Sequence, residues 1–119
     1  MLPVELSALD FCYLTTAGRT TGDAHRIEIW FAAHPDRDTI FMLSGGRDRA
    51  DWVRNLTASP RCTVEIGDAR FVGDARMIEG TPDDEIARTL VHDKYADGDD
   101  LAGWRATALP VAIDLTPDR

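Results

Sequence analysis

Residues 15–31 read TTAGRTTGDAHRIEIWF and place a glycine-bounded turn directly before a strand-like run. Gly18 and Gly22 permit backbone conformations that are closed to other residues, as turns between strands often require. After the turn, apolar residues alternate with charged or aromatic ones over residues 25–31. A period of two indicates a β-strand with one face toward a core. We therefore expect a strand on each side of this turn and an antiparallel sheet around them.

The turn and the second strand also carry side chains suited to a ligand. Arg19 offers a rigid fork of donors, and the hydroxyls of Thr20 and Thr21 lie beside it, so the turn suits an anionic group. The strand's apolar face consists of Ile27, Ile29 and Phe31. Its other face consists of Arg26, Glu28 and Trp30. We interpret that second face as the wall of a ligand site, although one polar face is also ordinary in an antiparallel strand.

The rest of the chain predicts further strands and two helices. Strands are expected at residues 11–16, 25–33, 39–43, 62–66, 70–78 and 109–115. The first helix follows Ser44-Gly45-Gly46, with Asp48 as its N-cap and Asp51 at the capping-box position. The second begins after Thr81-Pro82, has Ile86, Leu90, Val91 and Tyr95 on one face, and is followed by a polar loop at residues 96–100. Pro110 predicts that the last strand lies at an edge near its start.

This order of elements predicts a mainly β protein, a six-stranded antiparallel barrel with helices packed at its ends. With 119 residues, the chain is expected to form a single domain over residues 1–119. So small a barrel leaves little room inside for a cofactor. We therefore expect a site on the outer wall, completed by a second subunit.

Composition excludes several functional classes. A net charge of −8 argues against nucleic-acid binding. No apolar run is long enough to span a membrane, and the N-terminus lacks a secretory signal, so we expect a cytoplasmic protein. Cys12, Cys62 and the three histidines show no metal-ligand spacing, so no metal site is predicted. Seven arginines against six acids over residues 15–61 indicate a locally basic pocket on an acidic protein.

A second candidate patch is the stretch SGGRDRADWVRN at residues 44–55. A strand that ends in glycines and opens into a helix directs backbone N–H groups and the helix dipole toward an anion. Arg47 adds charge, Trp52 adds a flat ring, and Asn55 lies one turn further along. The same arrangement is also a generic connection. Tyr95 and Trp104 are weak catalytic candidates, as a proton donor and a cover for a cofactor ring, and core packing is the alternative for both.

The stretches TTAGRTTGDAHRIEIWF, SGGRDRADWVRNLTASPRCTVEIG and RATALPVAIDL resemble the deazaflavin-dependent nitroreductase and quinone reductase family over residues 11–115. The resemblance implies a split β-barrel related to FMN-binding proteins, with two or three helices. It also implies a homodimeric oxidoreductase that binds coenzyme F420, a hydride carrier with a phosphate and an oligoglutamate tail. This chain has Thr20-Thr21 where members commonly have Lys-Ser.

The resemblance, with the two patches, predicts the cofactor-binding residues Arg19, Thr20, Thr21, His25, Arg26, Ile27, Glu28, Ile29, Trp30, Ser44, Gly45, Gly46, Arg47, Trp52 and Asn55. The expected reaction is hydride transfer from the reduced coenzyme to a quinone, enone or nitro compound. Two alternatives stay open. One is an FMN-binding protein of the same fold, and the other is a non-catalytic dimer that carries a cofactor.

Overall fold

One antiparallel sheet organises the computed structural model, which describes residues 1–96 and 101–118. Within those residues the sheet has seven strands in the order β2-β1-β5-β6-β7-β4-β3. The strands are β1 (Cys12–Ala17), β2 (Ala24–Ile29), β3 (Ala32–Ala33), β4 (Thr39–Ser44), β5 (Arg61–Ile66), β6 (Ala69–Met77) and β7 (Leu109–Pro117). The helices are α1 (Val4–Ser7), α2 (Asp51–Ala58), α3 (Pro82–Tyr95) and α4 (Ala102–Thr107), with a 3-10 turn at Arg47–Arg49.

The sheet must curl because its two edge strands are neighbours in sequence. β2 and β3 lie at opposite edges, yet only Trp30 and Phe31 separate them. Three peptide steps from Ile29 to Ala32 reach at most about 11 Å. In a flat sheet, six strand spacings would hold the edges about 29 Å apart. The sheet therefore curls until its edges approach at this link, which gives the predicted split barrel.

Side chains from the end of α3 hold the backbone of this link. The Phe31 N–H donates to the hydroxyl oxygen of Tyr95 at 3.0 Å. That hydroxyl lies 2.9 Å from the Phe31 carbonyl and 2.7 Å from the Asp10 carbonyl, and it donates to one of them at a time. The Lys94 ammonium donates to the carbonyls of Phe31 and Leu9. Burial raises the pKa of Tyr95 to about 12, so the phenol keeps the proton that this role needs.

Two hydrophobic cores share the strands β4 and β7. In β4, Ile40 and Met42 face the barrel interior, whereas Phe41 and Leu43 face α3 and α4. Every residue of β4 is buried, as expected for a strand that is covered on both faces. The strand predicted at residues 109–115 is confirmed as β7, in which Leu109, Val111, Ile113 and Leu115 belong to the interior core.

The structure corrects the predicted course of the chain at two places. The strand predicted at residues 25–33 is two strands, because the chain leaves one sheet edge at Trp30 and joins the other at Ala32. This raises the strand count from six to seven. Asp48 does not cap a helix: it lies in the 3-10 turn, and α2 begins at Asp51 after Ala50. The Ser44 hydroxyl donates to the Arg47 carbonyl and closes that turn.

Two further corrections concern α3 and β7. Val91 is buried and Leu90 and Tyr95 pack beside it, as predicted, whereas Ile86 is exposed and Ala87 and Arg88 complete the buried side of α3. Pro110 does not mark an edge strand, because β7 lies between β6 and β4. The ladder with β6 extends only to Val111, so Pro110 stands just beyond it and its missing N–H costs no bond there. Of the polar loop predicted at residues 96–100, all but the first residue lies outside the described residues.

Gly73 should tolerate no side chain, because β6 and β7 pack closely at this position. A Cβ atom on Gly73 would lie 2.5 Å from Cγ2 of Ile113 and 2.9 Å from Sγ of Cys62. We expect Gly73→Ala to lower the free energy of unfolding by about 1–3 kcal/mol in urea denaturation. Gly103→Ala is the matched control, since a Cβ there meets no described atom within 4 Å. Equal stability of the two variants would contradict the close packing.

Removing the Tyr95 hydroxyl should destabilise the protein through the link between the sheet edges. Tyr95→Phe leaves the Phe31 N–H without its partner, and we expect a loss of about 1–3 kcal/mol in the free energy of unfolding. Tyr13→Phe serves as the control, because among the described residues the Tyr13 hydroxyl has just one hydrogen-bond contact, an exposed one of 3.4 Å with Glu28. A Tyr95→Phe variant as stable as Tyr13→Phe would show that the link does not depend on this hydroxyl.

Candidate functional site

A cleft of about 410 Å³ lies between the turn that joins β1 to β2 and the helix α2. The turn and the start of β2 supply one side of it, and α2 supplies the other. The lining residues are Thr16, Gly18, Arg19, Thr20, Thr21, His25, Ile27, Asp51, Trp52 and Asn55. The two sequence patches centred on Arg19 and Trp52 therefore meet at one cleft.

Asn55 joins the two sides of the cleft. Its side-chain oxygen accepts hydrogen bonds from the Arg19 backbone N–H at 3.2 Å and from the Arg19 guanidinium at 2.9 Å. Its amide nitrogen donates to the Thr16 hydroxyl at 3.0 Å. Asn55 is buried, and a buried amide is stable only when it is hydrogen-bonded in this way. The guanidinium of Arg19 is therefore held at a fixed place over the cleft.

The turn itself is shaped by its two glycines. Gly22 has φ +79°, a conformation that side chains disfavour. A Cβ atom on Gly18 would lie 2.7 Å from Nε2 of His25, so the imidazole packs directly on the backbone at the start of the turn. The Gly18 N–H donates to the Asp23 carbonyl at 2.7 Å and closes the loop. The turn presents Arg19 to the cleft because these contacts leave it little freedom.

The polar face of β2, the predicted ligand wall, points away from this cleft and toward the outside of the sheet, so its role in ligand binding stays a prediction. β1 and β2 pair so that Arg26 lies opposite Thr15 and Glu28 lies opposite Tyr13. Paired residues share a face, and in β1 the inward positions belong to Cys12, Leu14 and Thr16. Arg26 accordingly lies 3.8 Å over the Tyr13 ring and pairs with Glu65 at 3.2 Å.

Ile29 and Trp30, at the end of β2, also lie outside the cleft lining. Ile29 packs against the interior core of the barrel. Trp30 stacks on Tyr95 with ring centroids 4.2 Å apart and meets Trp104 edge to face at 5.9 Å. Of the predicted residues in this strand, His25 and Ile27 are the two that line the cleft.

The glycine-rich end of β4 makes contacts of its own. A Cβ atom on Gly45 would lie 3.5 Å from the Trp104 indole, so this ring covers the backbone there. Gly46 precedes the 3-10 turn, and Ser44 is buried. Arg47, with φ 53°, donates to the Thr107 carbonyl and to Glu79, both at 2.6 Å. The structure thus ties Arg47 to the end of α4 and does not bring it to the cleft.

The two weak catalytic candidates lie elsewhere as well. Tyr95 binds the link between β2 and β3, and Trp104 covers Gly45. Conversely, the sequence prediction missed Thr16, Gly18 and Asp51 as lining residues. Asp51 carried a usable signal, because it lies four residues before Asn55 and therefore on the same side of α2. Thr16 carried another, since it continues the inward alternation of β1.

The chemistry of the cleft fits one anionic group next to a flat ring. Arg19 supplies the positive charge, Thr20 and Thr21 supply hydroxyls, and the half-buried Trp52 supplies an indole. Hydrogen bonds to Asn55 and Asp51 use two of the five guanidinium donors, which leaves three for a ligand. Among the described residues, the cleft lining contains one arginine, Arg19, and one aspartate, Asp51, so it is less basic than the predicted pocket.

Two other classes of feature are absent from the described ranges. No three His, Cys, Asp or Glu side chains there come together in a group that could hold a metal ion. No helix in those ranges combines the length and the apolar character needed to cross a bilayer.

Solved structures share this fold at low sequence identity. The reductase FDR-A, described as F420-H2 dependent, is 22% identical, with 90% of this chain and 94% of that chain covered and a TM-score of 0.70. A Bacteroides thetaiotaomicron protein assigned provisionally to 5-nitroimidazole antibiotic resistance is 12% identical, with 93% and 76% covered and a TM-score of 0.73. The heme storage protein HutZ of Vibrio cholerae is 17% identical, with 92% and 82% covered and a TM-score of 0.66. At these identities the likenesses establish the fold alone.

The family comparison extends beyond the fold. No curated protein matches this sequence. The model of the family described as F420H(2)-dependent quinone reductase matches residues 3–116, which is nearly the whole chain. The protein therefore belongs to the F420H(2)-dependent quinone reductase family.

Proposed function

We propose that this protein is an F420-dependent oxidoreductase that transfers a hydride from the reduced coenzyme to a small electron-poor acceptor. The acceptor class is a quinone, an enone or a nitro compound. Membership of the family supports the coenzyme. The single structural observation that carries the proposal is the placement of Arg19, which is fixed by Asn55 at the wall of a cleft that Trp52 also lines.

In this proposal each side of the cleft has a separate task. Arg19 and the hydroxyls of Thr20 and Thr21 bind the anionic part of the coenzyme. Trp52 and Ile27 give the cleft an apolar wall that excludes water from the bound molecule. Asn55 positions Arg19 and the turn, because both its oxygen and its nitrogen are already hydrogen-bonded within the protein. The bound coenzyme supplies the hydride.

We also propose a homodimer. A solved structure that shares the fold, with a TM-score of 0.70 and 22% identity, is described as a domain-swapped dimer. The predicted residues that lie away from the cleft, such as Arg26 and Glu28, are on an open face of the sheet. A second copy seated on that face would bring them to an interface.

The FMN-binding alternative is supported by the charge of the cleft. Apart from His25, the charged side chains among its described lining residues are Arg19 and Asp51, and their charges cancel. One arginine suffices for a phosphate, whereas an oligoglutamate tail would favour more positive charge. FMN therefore needs to be compared directly with F420 as a ligand.

Titration with the oxidised coenzyme should change its fluorescence with saturation. We expect a defined Kd for F420 and weaker binding of FMN under the same conditions. Absence of saturation up to about 1 mM F420, where binding is worth only about 4 kcal/mol, would remove the proposed function. Tighter binding of FMN than of F420 would favour the alternative that the protein binds FMN. Binding of reduced F420 without its oxidation by any quinone, enone or nitro compound would select a carrier.

Replacement of Arg19 should weaken coenzyme binding specifically. We expect Arg19→Ala to cost about 1.5–3 kcal/mol of binding free energy, because a charge-assisted hydrogen bond is lost. Arg37→Ala is the matched control, since it removes the same charge from an exposed loop outside the cleft lining, where Arg37 pairs with Asp83, and it should leave Kd nearly unchanged. Circular dichroism checks that both variants fold. Equal Kd values for Arg19→Ala and wild type would exclude Arg19 from the binding site.

A further inference from the structure

Asp51 places a carboxylate beside Arg19, the one arginine among the described residues that line the cleft. Its Oδ1 atom lies 3.2 Å from an Nη atom of Arg19, in the geometry of a salt bridge. The Asp51 side chain is 86% exposed, whereas that of Arg19 is 35% exposed. The pair therefore faces the solvent on the side from which a ligand must approach. An incoming anion and this carboxylate compete for the same guanidinium.

Asp51 contributes little to the placement of Arg19. Asn55 already holds Arg19 by its backbone N–H and its guanidinium, and Asn55 is itself buried and bonded to Thr16. An exposed ion pair, by contrast, contributes at most about 1 kcal/mol and breaks readily. The geometry of the cleft thus depends on Asn55. What Asp51 adds is a negative charge.

The negative charge of Asp51 affects which ligands can bind in the cleft. With Asp51 ionised, the charges of Arg19 and Asp51 cancel, and an approaching anion meets both attraction and repulsion. The repulsion grows with the number of negative charges that the guest brings near the pair. A guest with a single anionic group displaces the carboxylate at little cost. A guest with a chain of carboxylates is repelled along that chain.

We propose that Asp51 is a specificity-determining residue whose carboxylate competes with the anionic part of the coenzyme for Arg19, so that the cleft favours the less negatively charged forms. The inference rests on the proposed function, since it assumes that the coenzyme occupies this cleft. The ligands that the cleft would favour are coenzyme molecules with a short oligoglutamate tail. In this role, Asp51 lowers the affinity of the cleft for the coenzyme.

The test measures the Kd of oxidised F420, with a short and with a long tail, for Asp51→Asn. The amide keeps the shape and one acceptor oxygen but removes the charge. We expect Asp51→Asn to bind about 3–10-fold more tightly than wild type, with the larger gain for the long-tailed form. In an Arg19→Ala background, the gain should shrink to less than about twofold, because the two residues act on one another.

Asp48→Asn provides the matched control. Asp48 lies in the 3-10 turn before α2, and its carboxylate forms no ion pair with any described residue. This variant has the same change in net charge and should bind like wild type. An Asp51→Asn variant with unchanged or weaker binding would overturn the inference, as would equal gains for both tail lengths or an equal gain from Asp48→Asn. If wild type itself fails to bind F420, the proposed function falls, and this inference falls with it.

Discussion

The two-residue link between β2 and β3 is the constraint on which the rest of the architecture depends. It joins the two edges of a seven-stranded sheet and thereby fixes the curl of the barrel. The curl in turn determines which face of each strand is interior. It also leaves the backbone of Phe31 outside the regular ladders, and the end of α3 supplies the missing partners. Helix α3 is therefore part of the closure as well as a cover for the outer core.

Most arginines of this acidic chain are paired with acids rather than gathered at the cleft. Arg47 binds Glu79, Arg76 binds Asp114, and Arg88 binds Asp84. The Asp114 carboxyl has a lowered pKa because Arg76 donates to it. The first two pairs join segments that are distant in the chain, whereas Arg88 and Asp84 lie one turn apart within α3. The positive charge available to a ligand is consequently small and local, which makes the orientation of Arg19 more important than the number of arginines.

Sequence patterns predicted what depends on local periodicity. The strands at residues 62–66 and 109–115 and the proline-led start of α3 could all be predicted, because each depends on neighbours in the chain. Features that depend on residues distant in the chain could not be predicted in this way. Which face of β2 meets the cleft is decided by its pairing with β1. Asn55 contacts Arg19, 36 positions earlier in the chain, and Thr16, 39 positions earlier, and no local sequence pattern indicates these contacts.

Because β4 and β7 belong to both cores, the two cores depend on one another when the protein unfolds. Residues of β4 alternate between the interior core and the core under α3 and α4. Loss of either core would expose one whole face of β4, whose other face is still packed in the remaining core. The helices and the barrel therefore cannot melt one after the other, and the chain should unfold in a single cooperative transition.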